Sequence, residues 1–199
     1  MFNVKGDLKE IKKHLRRSEK KMIPEASMKA INKTLFQIMD AEKAQIVKKL
    51  DRPVRFTVNA FKINMAKRHK LYGDIHIRKE QWKYLKYQVE GGTQQSVDVP
   101  TSKLKLNKYG NIPGKRTGYV KGKRFVKTIG GVKGVWNRTG GKRNPKLNLL
   151  VVLDRTVTYR KRFPFKKIAD GVARNRFQRN FIKAMQRMVD KGWLIYNKK

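Results

Sequence analysis

The sequence of 199 residues contains no cysteine, few acidic residues and no apolar run long enough to cross a membrane. Without cysteine the chain has no disulfide, no thiolate chemistry and no cysteine-ligated zinc site. Its apolar runs fall short of the ~18 residues that suggest a membrane helix, and its first residues lack the apolar core of a signal peptide. The sequence therefore predicts a soluble protein made inside the cell, with no membrane span.

The shortage of acidic residues leaves a large positive charge. There are 51 Lys and Arg residues against 14 Asp and Glu residues, which gives a formal net charge of +37 at pH 7. Such an imbalance predicts a polyanionic partner, namely nucleic acid, an acidic protein surface or an anionic membrane. A supercharged surface that serves only solubility is the alternative.

Acidic residues are absent altogether from residues 99–153, which we call the basic segment. This segment contains 14 Lys or Arg residues and nine of the 15 glycines. It must therefore tolerate self-repulsion or lie against an anion, and its glycines favour short strands and tight turns over a long helix. The contacts that we predict with a polyanion or a partner come from Lys115, Arg116, Lys121, Lys123, Arg124, Lys127, Lys133, Arg138, Lys142 and Arg143.

Aromatic residues lie among these cations, at Tyr109, Tyr119, Phe125 and Trp136. Cations neutralise phosphates and aromatic faces stack on bases, so the combination is typical of nucleic-acid contacts. The same rings would also fill the core of a small twisted sheet. The sequence leaves both interpretations open.

Helical and strand periodicities surround the basic segment. Apolar residues recur every three or four positions between Met28 and Leu50, and again between Ile168 and Met188, which predicts two long helices. Alternation at 61–65 and 71–78 predicts a β-hairpin, and residues 79–89 a short helix capped by Gly91 or Gly92.

Strands are also predicted inside and after the basic segment. Residues 118–129 suggest a hairpin, 132–136 a further strand, and the apolar run 147–153 a central strand that pairs with 157–162. The order of elements predicts one α+β domain over residues 1–199. In it, long N- and C-terminal helices pack on an antiparallel β-sheet, and 99–153 forms an extended region of basic, Gly-rich loops and hairpins.

No catalytic pattern emerges from the sequence. His14, His69 and His76 are scattered, the carboxylates are dispersed, and no metalloprotease, nucleophile-elbow or phosphate-loop motif is present. We expect no enzyme, no cofactor and no metal site. A metal-dependent nuclease is the enzymatic alternative, which the dispersed carboxylates disfavour.

Several short motifs, taken together, resemble those of a phage family. They are 23–26 (IPEA) with 30–34 (AINKT), 52–61 (RPVRFTVNAF), 84–85 (YL) with 89–92 (VEGG), 106–112 (LNKYGNI), and 159–163 (YRKRF) before a helix with Phe177 and Phe181. Over most of the chain this pattern resembles the minor tail protein Z group and related tail-completion or neck proteins of tailed bacteriophages.

The resemblance implies a non-catalytic virion structural protein, made in the host cytoplasm and located at the head–tail junction or tail end. It implies a homo-oligomeric ring, for which we predict a hexamer or dodecamer, in contact with portal or adaptor and tail proteins. Whether the basic segment faces DNA or an acidic protein ring stays open. A basic nucleic-acid-binding protein, such as a ribosomal protein, is the competing interpretation.

Overall fold

The computed structural model describes Arg16 and residues 18–113, 122–141 and 143–190. A π-helical turn (Ser18–Met22) is followed by α1 (Ile23–Lys49), α2 (Arg55–Val58), β1 (Phe61–Asn64), β2 (Asp74–Ile77), α3 (Lys79–Val89), β3 (Gly92–Pro100), β4 (Arg124–Ile129), β5 (Val132–Thr139), β6 (Lys146–Tyr159) and α4 (Phe165–Asp190). The predicted α+β class is confirmed, with long helices and antiparallel sheets. In the sequence, Asp7 with Glu10 three residues later also predicts a helix start, and Gly192 predicts the end of the last helix. Both positions lie outside the described residues.

The chain divides into two compact units. Unit 1 comprises Met1–Gln45, Asn59–Lys79 and Pro164–Lys199, and unit 2 comprises Ile46–Val58 and Glu80–Phe163. The single domain expected over residues 1–199 stays a prediction.

Unit 1 is built on the two long helices. Six of the buried positions of α1 and the turn before it follow a four-residue spacing, which places them in one continuous row along the helix; they are Met22, Ala26, Ala30, Thr34, Ile38 and Glu42. Met22 and Ala26 form an apolar cluster with Ala184 and Met188 of α4. Asn180 of α4 is also buried, and its Nδ2 donates to Thr34 Oγ1 at 2.9 Å.

The predicted hairpin of unit 1 is confirmed. Strands β1 and β2 pair antiparallel from Phe61↔Ile77 to Asn64↔Asp74. The chain after β1 is bonded to α1, because Asn32 Nδ2 donates to Ala66 O at 3.0 Å and Asn32 Oδ1 accepts from Ala66 N at 2.7 Å. One side-chain amide therefore fixes the hairpin on the helix.

Unit 2 contains α3 and a four-stranded antiparallel sheet in the order β3-β6-β5-β4. The predicted end of α3 is confirmed: Gly91 has a φ of 76°, and its N–H donates to Tyr87 O at 3.1 Å. The central strand predicted at 147–153 is part of β6, which lies between β3 and β5.

The prediction that 157–162 pairs with that central strand is wrong. Residues 157–159 continue β6 itself, and the strand pairs along its length with β3, from Gly92↔Tyr159 to Pro100↔Val151. An alternating segment that directly follows an apolar run gives no sign of a turn, so one long strand forms. The hairpin that the structure describes in the basic segment is β4–β5, and its turn is Gly130-Gly131. The sequence predicted a hairpin at 118–129, of which residues 118–121 lie outside the described chain.

Candidate polyanion-binding face

One face of strands β4, β5 and β6 shows three cross-strand rows of side chains. Directly paired residues of antiparallel strands project to the same face of a sheet. The middle row is Phe125, Trp136 and Leu149. The row on one side is Lys127, Gly134 and Val152, and the row on the other side is Lys123, Arg138 and Leu147. Cations therefore flank an aromatic pair on both sides.

We call Lys123, Phe125, Lys127, Trp136 and Arg138 the cation–aromatic face. The three cations are exposed, whereas the two rings are half-buried. The next row of the opposite face is Val126, Val135 and Val151. There Val135 and Val151 belong to the core cluster against which Leu104 and Ile112 pack. The apolar core of the sheet thus lies on the other side from the cation–aromatic face.

Close packing holds the two rings in place. The Trp136 indole Nε1 donates to Lys127 O at 2.9 Å, across the strand pair. Gly134 leaves the space for this arrangement, because a Cβ there would overlap the Leu149 side chain and lie 2.7 Å from Val151 O. The Arg138 guanidinium lies over the Phe125 ring, 5.7 Å from its centroid. The aromatic row is therefore ordered before any ligand binds.

A cleft of about 670 Å³ adjoins this face at the end of the β4–β5 hairpin away from its turn. It is lined by Gly122, Lys123, Arg124, Phe125, Arg138, Gly140, Gly141 and Pro145, with no carboxylate among them. The absence of side chains at the glycines lets another backbone approach closely. A ligand that extends past Phe125 would enter a concave, cationic space.

Most of the described cations predicted as contacts lack an anionic partner. Lys133 is the exception, since its Nζ lies 2.7 Å from Asp154 Oδ2. No ion pair with a described carboxylate is formed by Lys123, Arg124, Lys127, Arg138 or Arg143. Their charges are available to an external anion.

The structure brings together some of the predicted site residues and separates others. Lys123, Lys127 and Arg138 share the cation–aromatic face. Arg124 and Lys133 alternate away from it along their strands, although Arg124 lines the cleft, and Arg143 is exposed in the β5–β6 loop. Lys115, Arg116, Lys121, Lys142 and the aromatic Tyr119 lie outside the described residues.

Sequence analysis missed the contribution of Gly134 and of two leucines of β6, Leu147 and Leu149, to this surface. Leu147 is 42% exposed. A signal for the face was available in the period-two pattern that places Lys123, Phe125 and Lys127 on one side of β4, and Trp136 and Arg138 on one side of β5.

Four of the motifs that resemble phage proteins meet elsewhere in unit 2, around a cleft of about 360 Å³. Its lining includes Arg52, Tyr84, Tyr109, Tyr159 and Arg162. These residues come from the motifs at 52–61, 84–92, 106–112 and 159–163, respectively. The motif at 23–34 lies in unit 1.

Hydrogen bonds join two of these segments and shape the turn of a third. Gln88 O accepts hydrogen bonds from both Arg162 N and Phe163 N at 2.9 Å. Asn107 Oδ1 closes a tight turn by accepting from Tyr109 N at 2.9 Å and Asn111 N at 3.0 Å. Gly110 in that turn has a φ of 76° and lies under the Arg52 guanidinium, where a Cβ would be 3.0 Å from Arg52 Nη2.

Two carboxylates are buried in unit 1, with opposite environments. Burial alone would raise the pKa of Glu25, but hydrogen bonds from Arg68 (Nη2–Oε2 2.7 Å) and Lys29 (Nζ–Oε1 3.1 Å) outweigh it and leave that pKa below its ordinary value. Burial raises the pKa of Glu42 to about 8, and neither of its carboxyl oxygens has a hydrogen-bond partner among the described residues. Glu42 is therefore protonated at neutral pH.

Within the described parts of the chain, no three His, Asp or Glu side chains lie close enough together to hold a metal ion. None of the described helices is long and apolar enough to cross a membrane. Comparison with protein-family models, curated proteins and solved structures finds no match to this chain. The resemblance to phage tail-completion proteins stays a prediction from the motifs.

Proposed function

We propose that the protein is a virion structural protein of a tailed bacteriophage, located at the head–tail interface as a tail-completion or neck protein. The observation that supports this most directly is the meeting of four resembling motifs around one cleft of unit 2. The segments at 84–92 and 159–163 share hydrogen bonds, and residues of all four motifs line the same cleft, which supports a common structural role for them in this proposal.

In this proposal the protein forms a ring of six or twelve copies and has no catalytic activity. The long terminal helices and the antiparallel sheet pack against neighbouring copies. The basic, Gly-rich loops of 99–153 reach portal or adaptor proteins, tail proteins or DNA. Copies with a formal charge of +37 repel one another, so a closed ring requires anions nearby. The unpaired cations of the cation–aromatic face would meet them.

The experiment that tests the location is cryo-electron microscopy of the intact particle from which the protein is purified. We expect a symmetric ring of density between portal and tail that accommodates the four-stranded sheet and α4. Mass spectrometry of the same particles should detect the chain at a stoichiometry that matches the ring. Absence of the chain from washed, infectious particles would contradict the proposal.

A nucleic-acid-binding protein outside a virion, such as a ribosomal protein, is the second candidate. The observation that favours it is the combination of exposed cations and ordered rings on one sheet face. Sedimentation of a host lysate separates the two candidates. Co-migration with phage particles supports the first, and co-migration with ribosomes that survives a high-salt wash supports the second.

A further inference from the structure

We propose that the cation–aromatic face binds a single-stranded segment of nucleic acid, with an unpaired base against Phe125 and phosphates at the cations on either side. This inference rests on the polyanion contact in the proposed function, and it names the anion. It assigns Lys127 to one phosphate, and Lys123 together with Arg138 to a second phosphate two nucleotides further along the strand.

The spacing of the rows suits an unpaired strand. Successive rows are two residues apart, which is about 7 Å along a β-strand. The two rows of cations are therefore about 14 Å apart, which is about the length of two extended nucleotides, and the aromatic row lies midway between them. Aromatic platforms flanked by cations are the usual means of binding single strands without strong sequence preference.

A duplex would use only part of this surface. In double-stranded DNA the base faces are stacked inside the helix, so Phe125 and Trp136 would gain nothing and only the cations would contribute. The aromatic row would then stay half-exposed without a role. Its order, maintained by the Trp136–Lys127 hydrogen bond and the Arg138–Phe125 contact, matches a stacking surface better than a purely electrostatic one.

An acidic protein fits the face less well than nucleic acid. Protein–protein interfaces are enriched in Phe, Trp and Arg at their centres, but they are depleted in Lys. Here Lys123 and Lys127 directly flank the rings. The neighbouring cleft, lined by Arg124, Gly140 and Gly141 and free of carboxylates, has room for the strand to continue.

Fluorescence anisotropy with the full-length protein tests this proposal. The probes are a labelled single-stranded DNA of about 12 nucleotides of mixed sequence and the duplex of the same length, each titrated over a series of salt concentrations. Phe125→Leu should weaken single-strand binding about tenfold and leave both its salt dependence and duplex binding unchanged. Phe125→Tyr, which retains a ring, should bind like the natural protein.

Charge-removal variants provide the matched control. The triple variant Lys123→Gln, Lys127→Gln, Arg138→Gln should lower the slope of log K against log salt by about two for the single strand. The control triple Arg176→Gln, Arg179→Gln, Lys183→Gln removes the same charge from exposed positions of α4 in unit 1 and should change the slope by less.

Two results would overturn the inference. One is single-strand binding that Phe125→Leu leaves unchanged while the variant stays folded by circular dichroism. The other is equal loss of slope in the two triple variants, which would mean that the net charge alone attracts the nucleic acid. If particles contain the predicted ring but the protein does not bind the single strand, the inference fails and the proposed function stands. If the protein binds the single strand but particles contain no ring, the proposed function fails and the inference stands.

Discussion

Units 1 and 2 are almost equally basic, but they place their carboxylates differently. The ranges of unit 1 contain 27 Lys and Arg residues and nine acidic residues, and those of unit 2 contain 24 and five. Among the described carboxylates of unit 1, Glu25 and Glu42 are buried, at 7% and 0% exposure. No acidic residue described in unit 2 is buried.

This difference separates charges that stabilise the fold from charges that can bind a ligand. In unit 1 the Arg68 guanidinium is bound to Glu25 and joins the chain after β1 to α1. In unit 2 the cations of the cation–aromatic face form no ion pair with a described carboxylate, and Arg138 lies over the Phe125 ring instead. We therefore expect changes of charge to alter stability in unit 1 and binding in unit 2.

The largest effect that we expect is the pH dependence of the free energy of unfolding that is due to Glu42. Measuring it would sharpen the comparison of the two units. The pKa of Glu42 is raised by burial to about 8 from an ordinary value of 4.5, so the folded state keeps a proton that the unfolded state releases. The free energy of unfolding should therefore fall as pH rises between these values, by on the order of 4 kcal/mol. Denaturant unfolding at a series of pH values measures it.

Glu42→Gln should remove this contribution, because an amide does not ionise. Subtracting the curve of the variant from that of the natural protein cancels every other titrating group. Hydrogen exchange should place the lost protection in α1 and α4 rather than in β4–β6. A difference curve that is flat from pH 4.5 to 8 would contradict the raised pKa.

The next effect concerns packing in unit 2. Gly134→Ala should destabilise the sheet by about 2–4 kcal/mol, because the added Cβ would overlap Leu149 and approach the backbone oxygen of Val151, which has little freedom to move. Gly141→Ala is the matched control, since nothing lies within 4 Å of its Cβ position. If both variants unfold at the same denaturant concentration, the close approach at Gly134 is wrong.

A smaller effect is expected when one cation from each unit is replaced and the changes in the free energy of unfolding are compared. Arg68→Ala should cost about 1–3 kcal/mol, because it removes two hydrogen bonds to the buried Glu25 carboxylate. Lys127→Gln should change stability by less than about 0.5 kcal/mol, since the exposed side chain pairs with none of the described carboxylates.

The Glu25 contribution has the opposite pH dependence to that of Glu42. Because the pKa of Glu25 is lowered in the fold, its stabilisation is present above pH 4.5 and is lost as pH falls through the lowered pKa. Arg68→Ala should weaken that acid sensitivity, as thermal unfolding in acidic buffers would show. A larger stability loss for Lys127→Gln than for Arg68→Ala would reverse the distinction between the units.

The elements with clear periodicity were predictable from the sequence, whereas their contacts were not. The apolar spacing from Met28 to Leu50 predicted α1, but the buried face also includes Ala26, Thr34 and Glu42. An apolar pattern does not detect small or polar residues that are buried because a partner helix lies close. The register of β6 with β3 depends on paired residues that are far apart in sequence, from Gly92↔Tyr159 to Pro100↔Val151, and no local signal specifies it.

The sequence predicted which cations belong to the candidate site, but it did not predict how they are arranged on a surface. Ten cations were expected to act together, but strand alternation places Lys123 and Lys127 on the cation–aromatic face while Lys133 alternates away and pairs with Asp154. The role of Gly134 depends on its cross-strand neighbours. Sequence periodicity favoured turns for the glycines of the basic segment, and it could not distinguish a turn glycine from one that makes room for the side chain of Leu149 on the next strand.

A small stabilising effect is expected at Gly171 of α4, a glycine with the opposite environment to Gly134. Nothing lies within 4 Å of its Cβ position, and it is in the interior of a helix of 26 residues. Gly171→Ala should therefore stabilise unit 1 by about 0.5–1 kcal/mol, since alanine loses less backbone freedom on folding. Chemical denaturation should show a higher midpoint with an unchanged slope, and a lower midpoint would mean that α4 is packed at this position by a surface that Ala disturbs, such as a neighbouring copy in a ring.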